Sequence, residues 1–140
     1  MPRVSVWLIR ISLLHLLTGA YLGAAYLSFK GTGWPAWAAS HRPVHVEQML
    51  MGWMVQLVIG VAFWILPSRT KAPPVAPERL MWLVLVLLNG GVVLASFANP
   101  SRPAAELMGR CAETAAVALF AVLAWNRQRP YTPAARKLVL

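Results

Sequence analysis

Four long apolar runs dominate the hydrophobic pattern of this chain, and short segments rich in proline, glycine and basic residues separate them. The runs cover residues 4–27, 43–66, 80–97 and 104–125. At about 1.5 Å of rise per residue, each run forms a helix about 27–36 Å long, which is enough to cross a hydrocarbon core of about 30 Å. The pattern predicts an all-α integral membrane protein, a four-transmembrane-helix bundle formed by one domain of 140 residues with a basic tail over 127–140.

The composition supports a membrane protein over the alternative of a soluble bundle with apolar helices. Hydrophobic residues make up 59% of the chain and charged residues 12%, which is outside the usual range of soluble domains. The first run is longer than the apolar core of a typical signal peptide, contains Arg10 and His15, and ends without a small-residue cleavage motif. We therefore expect this run to be retained as the first helix.

The formal net charge of +9 is unevenly distributed over the predicted loops. With four spans, the N-terminus, the loop over 68–79 and the C-terminal tail share one side of the membrane. The basic residues on that side are Arg3, Arg10, Arg69, Lys71, Arg79, Arg127, Arg129, Arg136 and Lys137. Short basic loops favour the cytoplasm, so we expect cytoplasmic termini in a bacterial-type inner membrane. The charge then indicates topology and contact with anionic lipid, not nucleic-acid binding.

Three of the four acidic residues lie inside predicted spans, at Glu47, Glu106 and Glu113. Arg110 lies four residues after Glu106 and three before Glu113, so these three side chains can share one face of the fourth helix. A charge inside a bilayer costs at least about 2.5–3.5 kcal/mol, so neutralisation within this helix is the economical interpretation. The alternative is a proton or ligand site that uses one of these groups.

One stripe of the second helix combines polar and small residues. His45, Met49, Gly52 and Gln56 recur at helical spacing, and the glycine would let a flat group or a neighbouring helix come close. The imidazole at the end of the stripe could bind haem iron, in which case its other ring nitrogen needs an acceptor from another helix. The alternative is an interfacial histidine bonded to a lipid headgroup.

The two other histidines differ in the roles that their positions allow. His41 lies four residues before His45, a spacing at which two imidazoles can hold one metal, but Pro43 between them argues against a helical His41. His15 lies midway along the first helix, about 18 Å in depth from His45, so the two cannot flank one iron within a monomer. We interpret His15 as a buried, hydrogen-bonded histidine, with a pathway or ligand role as the alternative.

The second apolar run begins with RPVH at 42–45 and continues with Gly52-Trp53, Gly60 and Trp64. With these residues it resembles helix two of haem-copper oxidase subunit I, especially in the cbb3-type oxidases and nitric oxide reductases. The chain over about residues 8–126 resembles short, four-helix stand-alone proteins related to that subunit. The resemblance implies that His45 is a ligand of haem b.

The chain also departs from this family pattern. Glu47 and Met49 replace a histidine and an asparagine of the family motif, and the third run lacks the histidine expected there. A binuclear oxygen-reducing centre cannot be built from the three histidines present, so we do not expect an autonomous oxidase. The second axial ligand could be Met108 on the fourth helix, or His45 of a second copy in a symmetric dimer.

Three functional hypotheses follow from the sequence. The first is a haem b protein for electron transfer, gas sensing or haem handling. The second is a cofactor-free accessory or assembly subunit of a respiratory complex. The third is a quinone- or proton-linked site formed by His45, Glu47, Glu106 and aromatic side chains of the outer leaflet.

Overall fold

The computed structural model describes residues 1–66, 78–97 and 103–125, and four long helices account for most of them. The helices are α1 (Arg3–Thr32), α2 (Ala36–Ile65), α3 (Glu78–Ser96) and α4 (Pro103–Trp125). Each is long and apolar enough to cross a membrane, which indicates a multi-pass membrane protein. The predicted tail over 127–140 and most of the predicted loop over 68–79 lie outside the described residues.

The first connection differs from the predicted one because both flanking helices are longer. The first helix continues to Thr32 and ends where Gly33 adopts a φ of 75° and its N–H donates to the Phe29 carbonyl. Such a left-handed glycine is a common helix terminator, since glycine lacks the Cβ that penalises this conformation. Only Gly33, Trp34 and Pro35 then separate α1 from α2.

The second helix changes its winding along its length. It begins as a 3₁₀ helix over Ala36–His41, becomes α-helical over Arg42–Glu47, widens to a π-helix over Gln48–Val55 and returns to α-helix over Gln56–Ile65. Pro43 lies in the first turn of its α-helical part, where its missing N–H costs no hydrogen bond. A π-helical segment in an α-helix often marks a functional site, and this one lies in the middle of the bundle.

The apolar core occupies one end of the bundle. Over the described residues, α1 packs mainly against α2, α3 packs mainly against α4, and α3 joins the two pairs by touching α1 and α2. The core consists of Val4, Leu8, Ile59, Phe63, Met81, Val84, Leu85, Leu88, Ala116 and Leu123. These residues come from the starts of α1 and α3 and from the ends of α2 and α4, as an antiparallel arrangement requires. The other half of the bundle contains the buried Glu47 and Glu113 beside apolar side chains such as Val92.

The outward surface of the bundle is apolar. Large side chains that are more than half exposed include Leu14, Leu17, Leu27, Val58, Ile65, Val86 and Leu107. In water, an apolar surface of this extent would promote aggregation, whereas lipid solvates it without cost. The exposed side chains therefore agree with the membrane assignment made from helix length.

Two glycines bring the backbones of α3 and α4 into contact. A Cβ built on Gly91 would lie 2.6 Å from Glu113 Cγ and 2.8 Å from the carbonyl oxygen of Gly109. A Cβ built on Gly109 would lie 2.8 Å from the backbone nitrogen of Ala95. Small residues at such crossings let helices approach closely in a membrane, where packing is a main source of association energy.

We expect Gly91→Ala to destabilise the protein by about 1–3 kcal/mol, because the added methyl overlaps Glu113 and Gly109. Gly90→Ala is the matched control, since a Cβ there meets nothing within 4 Å. The free energy of unfolding can be measured in mixed micelles by titration with a denaturing detergent. Equal unfolding midpoints for the two variants would contradict this account of the α3–α4 contact.

Candidate functional site

Three groups of polar side chains join the helices inside the bundle. The first surrounds His45 between α1 and α2, and the second surrounds His15 between α1, α2 and α3. The third joins Glu47 of α2 to Arg110 and Glu113 of α4. Glu47 and Gln48 are adjacent in sequence yet belong to different groups, so α2 takes part in all three.

The imidazole of His45 lies against α1 and is held by its backbone. Nδ1 donates a hydrogen bond to the carbonyl oxygen of Gly19 at 2.7 Å. A Cβ on Gly23 would lie 2.6 Å from His45 Cε1, so the glycine provides the space for the ring. Because a carbonyl only accepts, Nδ1 carries the hydrogen, and Nε2 of the neutral ring keeps a lone pair. Metal-binding histidines commonly show this backbone bond at the other ring nitrogen.

A groove between α1 and α2 lies beside this ring, and we call it the His45 groove. Its volume is about 590 Å³, which falls within the range of about 300–1,000 Å³ typical of ligand sites. Ala20, Gly23 and Ala24 form a wall of small residues, while Tyr26 and Arg42 add polar groups. The lining is mainly apolar, with a positive charge next to the histidine.

The predicted stripe of α2 faces α1 over its whole length. Met49 lies against Gly19, and Gln56 Nε2 donates to the Leu8 carbonyl oxygen at 3.1 Å. Gly52 lies against the ring of His15, with 2.6 Å between a Cβ built there and His15 Cγ. The flat group that Gly52 accommodates is therefore a side chain of the protein itself. Neither Gly52 nor Gln56 lines the His45 groove.

Both ring nitrogens of His15 meet side-chain amides. Nδ1 contacts Gln48 Oε1, and Nε2 lies 2.9 Å from Asn89 Oδ1. Gln48 also accepts from the Thr18 hydroxyl at 3.2 Å and donates through Nε2 to Ser96 Oγ at 3.2 Å. We call these five residues the His15 network. It ties three helices together through polar contacts inside the bundle, where water is scarce.

The third group is the glutamate–arginine cluster, formed by Glu47, Arg110 and Glu113. Arg110 Nη1 donates to Glu47 Oε2 and to Glu113 Oε2, the latter at 3.2 Å. The glutamate side chains are 6% and 1% exposed, whereas the arginine side chain is 48% exposed. The second oxygen of each carboxyl, Oε1, is buried and has no hydrogen-bond partner within the described ranges. One guanidinium thus serves two buried carboxyl groups.

The structure corrects the predicted pairing within the fourth helix. Glu113 does pair with Arg110, but Glu106 is exposed and Glu47 of α2 takes the expected place. Glu106 lies in the first turn of α4, where the helix dipole favours a carboxylate and no partner side chain is required. His45 faces α1 while Glu47 faces α4, so the predicted grouping of His45, Glu47 and Glu106 is not formed.

Two other predicted ligands lie apart from the His45 groove. Met108 is 62% exposed on α4, while α1 and α2 form the groove, so the structure does not bring Met108 to His45. His41 is exposed and its Nδ1 donates to the carbonyl oxygen of Trp37 at 2.8 Å. Within residues 1–66, 78–97 and 103–125, no group of three or more histidine, cysteine or acidic side chains could hold a metal ion.

Sequence reasoning missed four members of the His15 network. Thr18, Gln48, Asn89 and Ser96 are uncharged and lie in apolar runs, so they drew less attention than the acids and histidines. Each is nevertheless a polar group inside a span, and a search for all such groups would have found them. Their convergence on His15 depends on helix packing, which no spacing along one helix reports.

Comparisons with known proteins do not assign this site. No family model, curated protein or solved structure matches the chain at a significant level. Any function must therefore be argued from the chemistry of the His45 groove, the His15 network and the glutamate–arginine cluster.

We expect His15→Leu to cost about 1–3 kcal/mol of stability, because the amide oxygens of Gln48 and Asn89 lose the ring nitrogens that they face. Leu14→Ala is the neighbouring control, since Leu14 lies on the exposed surface of α1. Unfolding midpoints in mixed micelles provide the measurement. A His15→Leu variant as stable as Leu14→Ala would show that the network does not stabilise the bundle.

Proposed function

We propose that this protein binds haem b in the membrane through Nε2 of His45, and that it serves electron transfer, gas sensing or haem handling. The observation that supports the proposal most directly is the hydrogen bond from His45 Nδ1 to the Gly19 carbonyl. It holds the ring in the tautomer that offers a lone pair at Nε2, and neutral imidazole of this kind is the usual axial ligand of haem iron.

The surroundings of His45 are chemically suited to a tetrapyrrole. The small side chains at Ala20, Gly23 and Ala24 leave a flat wall on α1, and an apolar groove of about 590 Å³ has the space for a large planar group. Arg42 lines the groove and could pair with a propionate carboxylate of haem, since guanidinium groups bind carboxylates through charge-assisted hydrogen bonds. When bound, haem would supply one-electron or gas-binding chemistry, while the protein would hold and orient it.

The tautomer of His45 also favours haem over a quinone as the ligand of this groove. A quinone carbonyl needs a hydrogen-bond donor, but the N–H of this ring is already used by Gly19. Nε2 presents an acceptor, which suits a metal better than a carbonyl oxygen. A cofactor-free accessory or assembly subunit of a respiratory complex is the remaining alternative, and the experiment below decides between them.

The proposed orientation has both termini in the cytoplasm of a bacterial-type inner membrane. Its support is the concentration of basic residues in the N-terminal segment, the loop over 68–79 and the tail over 127–140. In this orientation, Arg42 and the His45 groove lie toward the outer leaflet. Because neither α3 nor α4 lines the groove, the proposed second ligand is His45 of a second copy in a symmetric dimer.

We expect the purified protein to show Soret and α bands in a reduced-minus-oxidised visible spectrum, and His45→Ala to lose them because the axial nitrogen is removed. His41→Ala is the matched control, since His41 is exposed and its Nδ1 bonds within its own turn. A featureless wild-type spectrum after haem is supplied during expression would reject the haem proposal and favour the accessory subunit. Equal loss of the bands in both variants would also reject His45 as the ligand.

We also expect Gly23→Ala to weaken haem binding by about 10–100-fold, the range seen when the groups that orient a ligand are disturbed. The added methyl would lie 2.6 Å from His45 Cε1 and would displace the ring from its bond to Gly19. Gly31→Ala is the control on the same helix, because a Cβ there meets nothing within 4 Å. Haem titrations followed at the Soret band would show whether the two variants differ.

A further inference from the structure

The side-chain amide of Asn89 determines which atom faces one nitrogen of the His15 ring. Asn89 Nδ2 donates to the carbonyl oxygen of Leu85 at 2.8 Å, one turn earlier on α3. A backbone carbonyl only accepts, so the NH₂ group of Asn89 lies on that side and Oδ1 faces the ring. Oδ1 lies 2.9 Å from His15 Nε2. Nε2 therefore carries a hydrogen and donates it to Asn89.

The other ring nitrogen of His15 also faces an oxygen. Nδ1 contacts Gln48 Oε1, while the amide nitrogen of Gln48 donates to Ser96 Oγ at 3.2 Å. An amide oxygen only accepts, so a hydrogen bond in this arrangement requires a hydrogen on Nδ1 as well. A histidine with hydrogens on both ring nitrogens is the positively charged imidazolium. The structure thus contains the arrangement of amides that suits a protonated His15.

The amide of Gln48 can also serve the neutral ring. Its two further neighbours, Thr18 and Ser96, bear hydroxyl groups, and a hydroxyl can either donate or accept. If the amide reverses, its NH₂ group donates to Nδ1 and to Thr18 Oγ1, and Ser96 Oγ donates to Oε1. The Thr18 hydroxyl then donates to the carbonyl oxygen of Leu14, which lies 3.1 Å away. The network therefore has partners for the ring in both of its charge states.

We propose that His15 is a reversible proton-binding site in which Nδ1 takes up one proton and the Gln48 amide reverses with it. The proton comes from water and returns to it, and no electron or other group is transferred. Hydrogen bonds to the charged form of a group favour that form, and Gln48 and Asn89 supply one oxygen to each ring nitrogen. Ionisable side chains inside membrane spans commonly belong to ion or proton pathways.

The two amides, and no counter-ion, control the charge of His15. Among the described residues, no acidic or basic side chain forms a hydrogen bond or an ion pair with its ring. The titratable side chains of the helices packed against it bond elsewhere. On α2, His45 bonds to the backbone of α1 and Glu47 bonds to α4, while Glu78 of α3 bonds to the backbone at the start of α1.

The His15 network connects the middle of the bundle with its surface. Ser96 is the last residue of α3 and is half-buried, while Thr18 is exposed on α1. The two hydroxyl groups that flank Gln48 thus give the ring a polar connection to the outside of the bundle. The proposal holds with or without haem, because the ligand nitrogen proposed for iron belongs to His45.

NMR of the protein labelled with nitrogen-15 in its histidine rings tests the proposal, because ring nitrogens with and without a hydrogen give separate signals. In phosphatidylcholine vesicles, we expect His15 Nε2 to keep its hydrogen and Nδ1 to lose one as the pH rises through about 5–8, the range in which histidine titrates. A variant with both His41→Ala and His45→Ala retains only the His15 signals and assigns them. An Nδ1 that stays in one state over this range overturns the proposal.

Substitutions of Gln48 test the role of its amide. Gln48→Met should lower the ratio of protonated to unprotonated Nδ1 about tenfold, because a hydrogen bond from a charged donor is lost. Gln48→Glu should raise this ratio at least about tenfold, since a carboxylate favours the imidazolium. Leu14→Ala is the control on the exposed surface of α1 and should leave the ratio unchanged.

The same ratio in the wild-type protein and in both Gln48 variants would overturn the proposed coupling of the proton to this amide. The titration of the wild-type protein requires no variant of Gln48 to fold, so it tests the proton site independently. Circular dichroism and gel filtration in detergent establish that the compared variants are folded.

Discussion

The pairing of Arg110 with two buried glutamates is the constraint on which the polar half of this bundle depends. In a membrane, groups that lose their contact with water must be satisfied by the protein, and a carboxylate left alone would be among the most costly. Because Glu47 is on α2 and Glu113 on α4, one guanidinium both neutralises charge and ties two helices together. Gly91 on α3 completes this arrangement by leaving space for the Glu113 side chain.

The second helix contributes a side chain to the His45 groove, to the His15 network and to the glutamate–arginine cluster. His45 faces α1, Glu47 faces α4, and Gln48 reaches the His15 network that includes α3. These neighbouring positions contact three different helices at the point where α2 changes from α-helix to π-helix. A regular amphipathic helix has one polar face, whereas a helix in the centre of a polar half needs several.

The two ends of the bundle differ in the side chains that they bury. The end with the starts of α1 and α3 contains the apolar core, together with the buried polar side chains of Ser5 and Gln56. The opposite half holds the His45 groove and the glutamate–arginine cluster, whereas Glu78 at the core end accepts a hydrogen bond from the backbone N–H of Val4. His45 and Glu47 are two residues apart on α2, yet the first contacts α1 and the second contacts α4.

The sequence by itself determined the number of helices, their approximate limits and the common face of His45, Met49, Gly52 and Gln56, because apolar length and helical spacing are local properties. Only the tertiary structure decided which helix this face meets and which groups pair across helices. Spacing placed Glu106 beside Arg110, yet Glu47 of α2 pairs with it instead. The reason is physical: spacing along a chain reports neighbours on one helix, whereas burial and charge pairing depend on how helices from distant parts of the sequence pack.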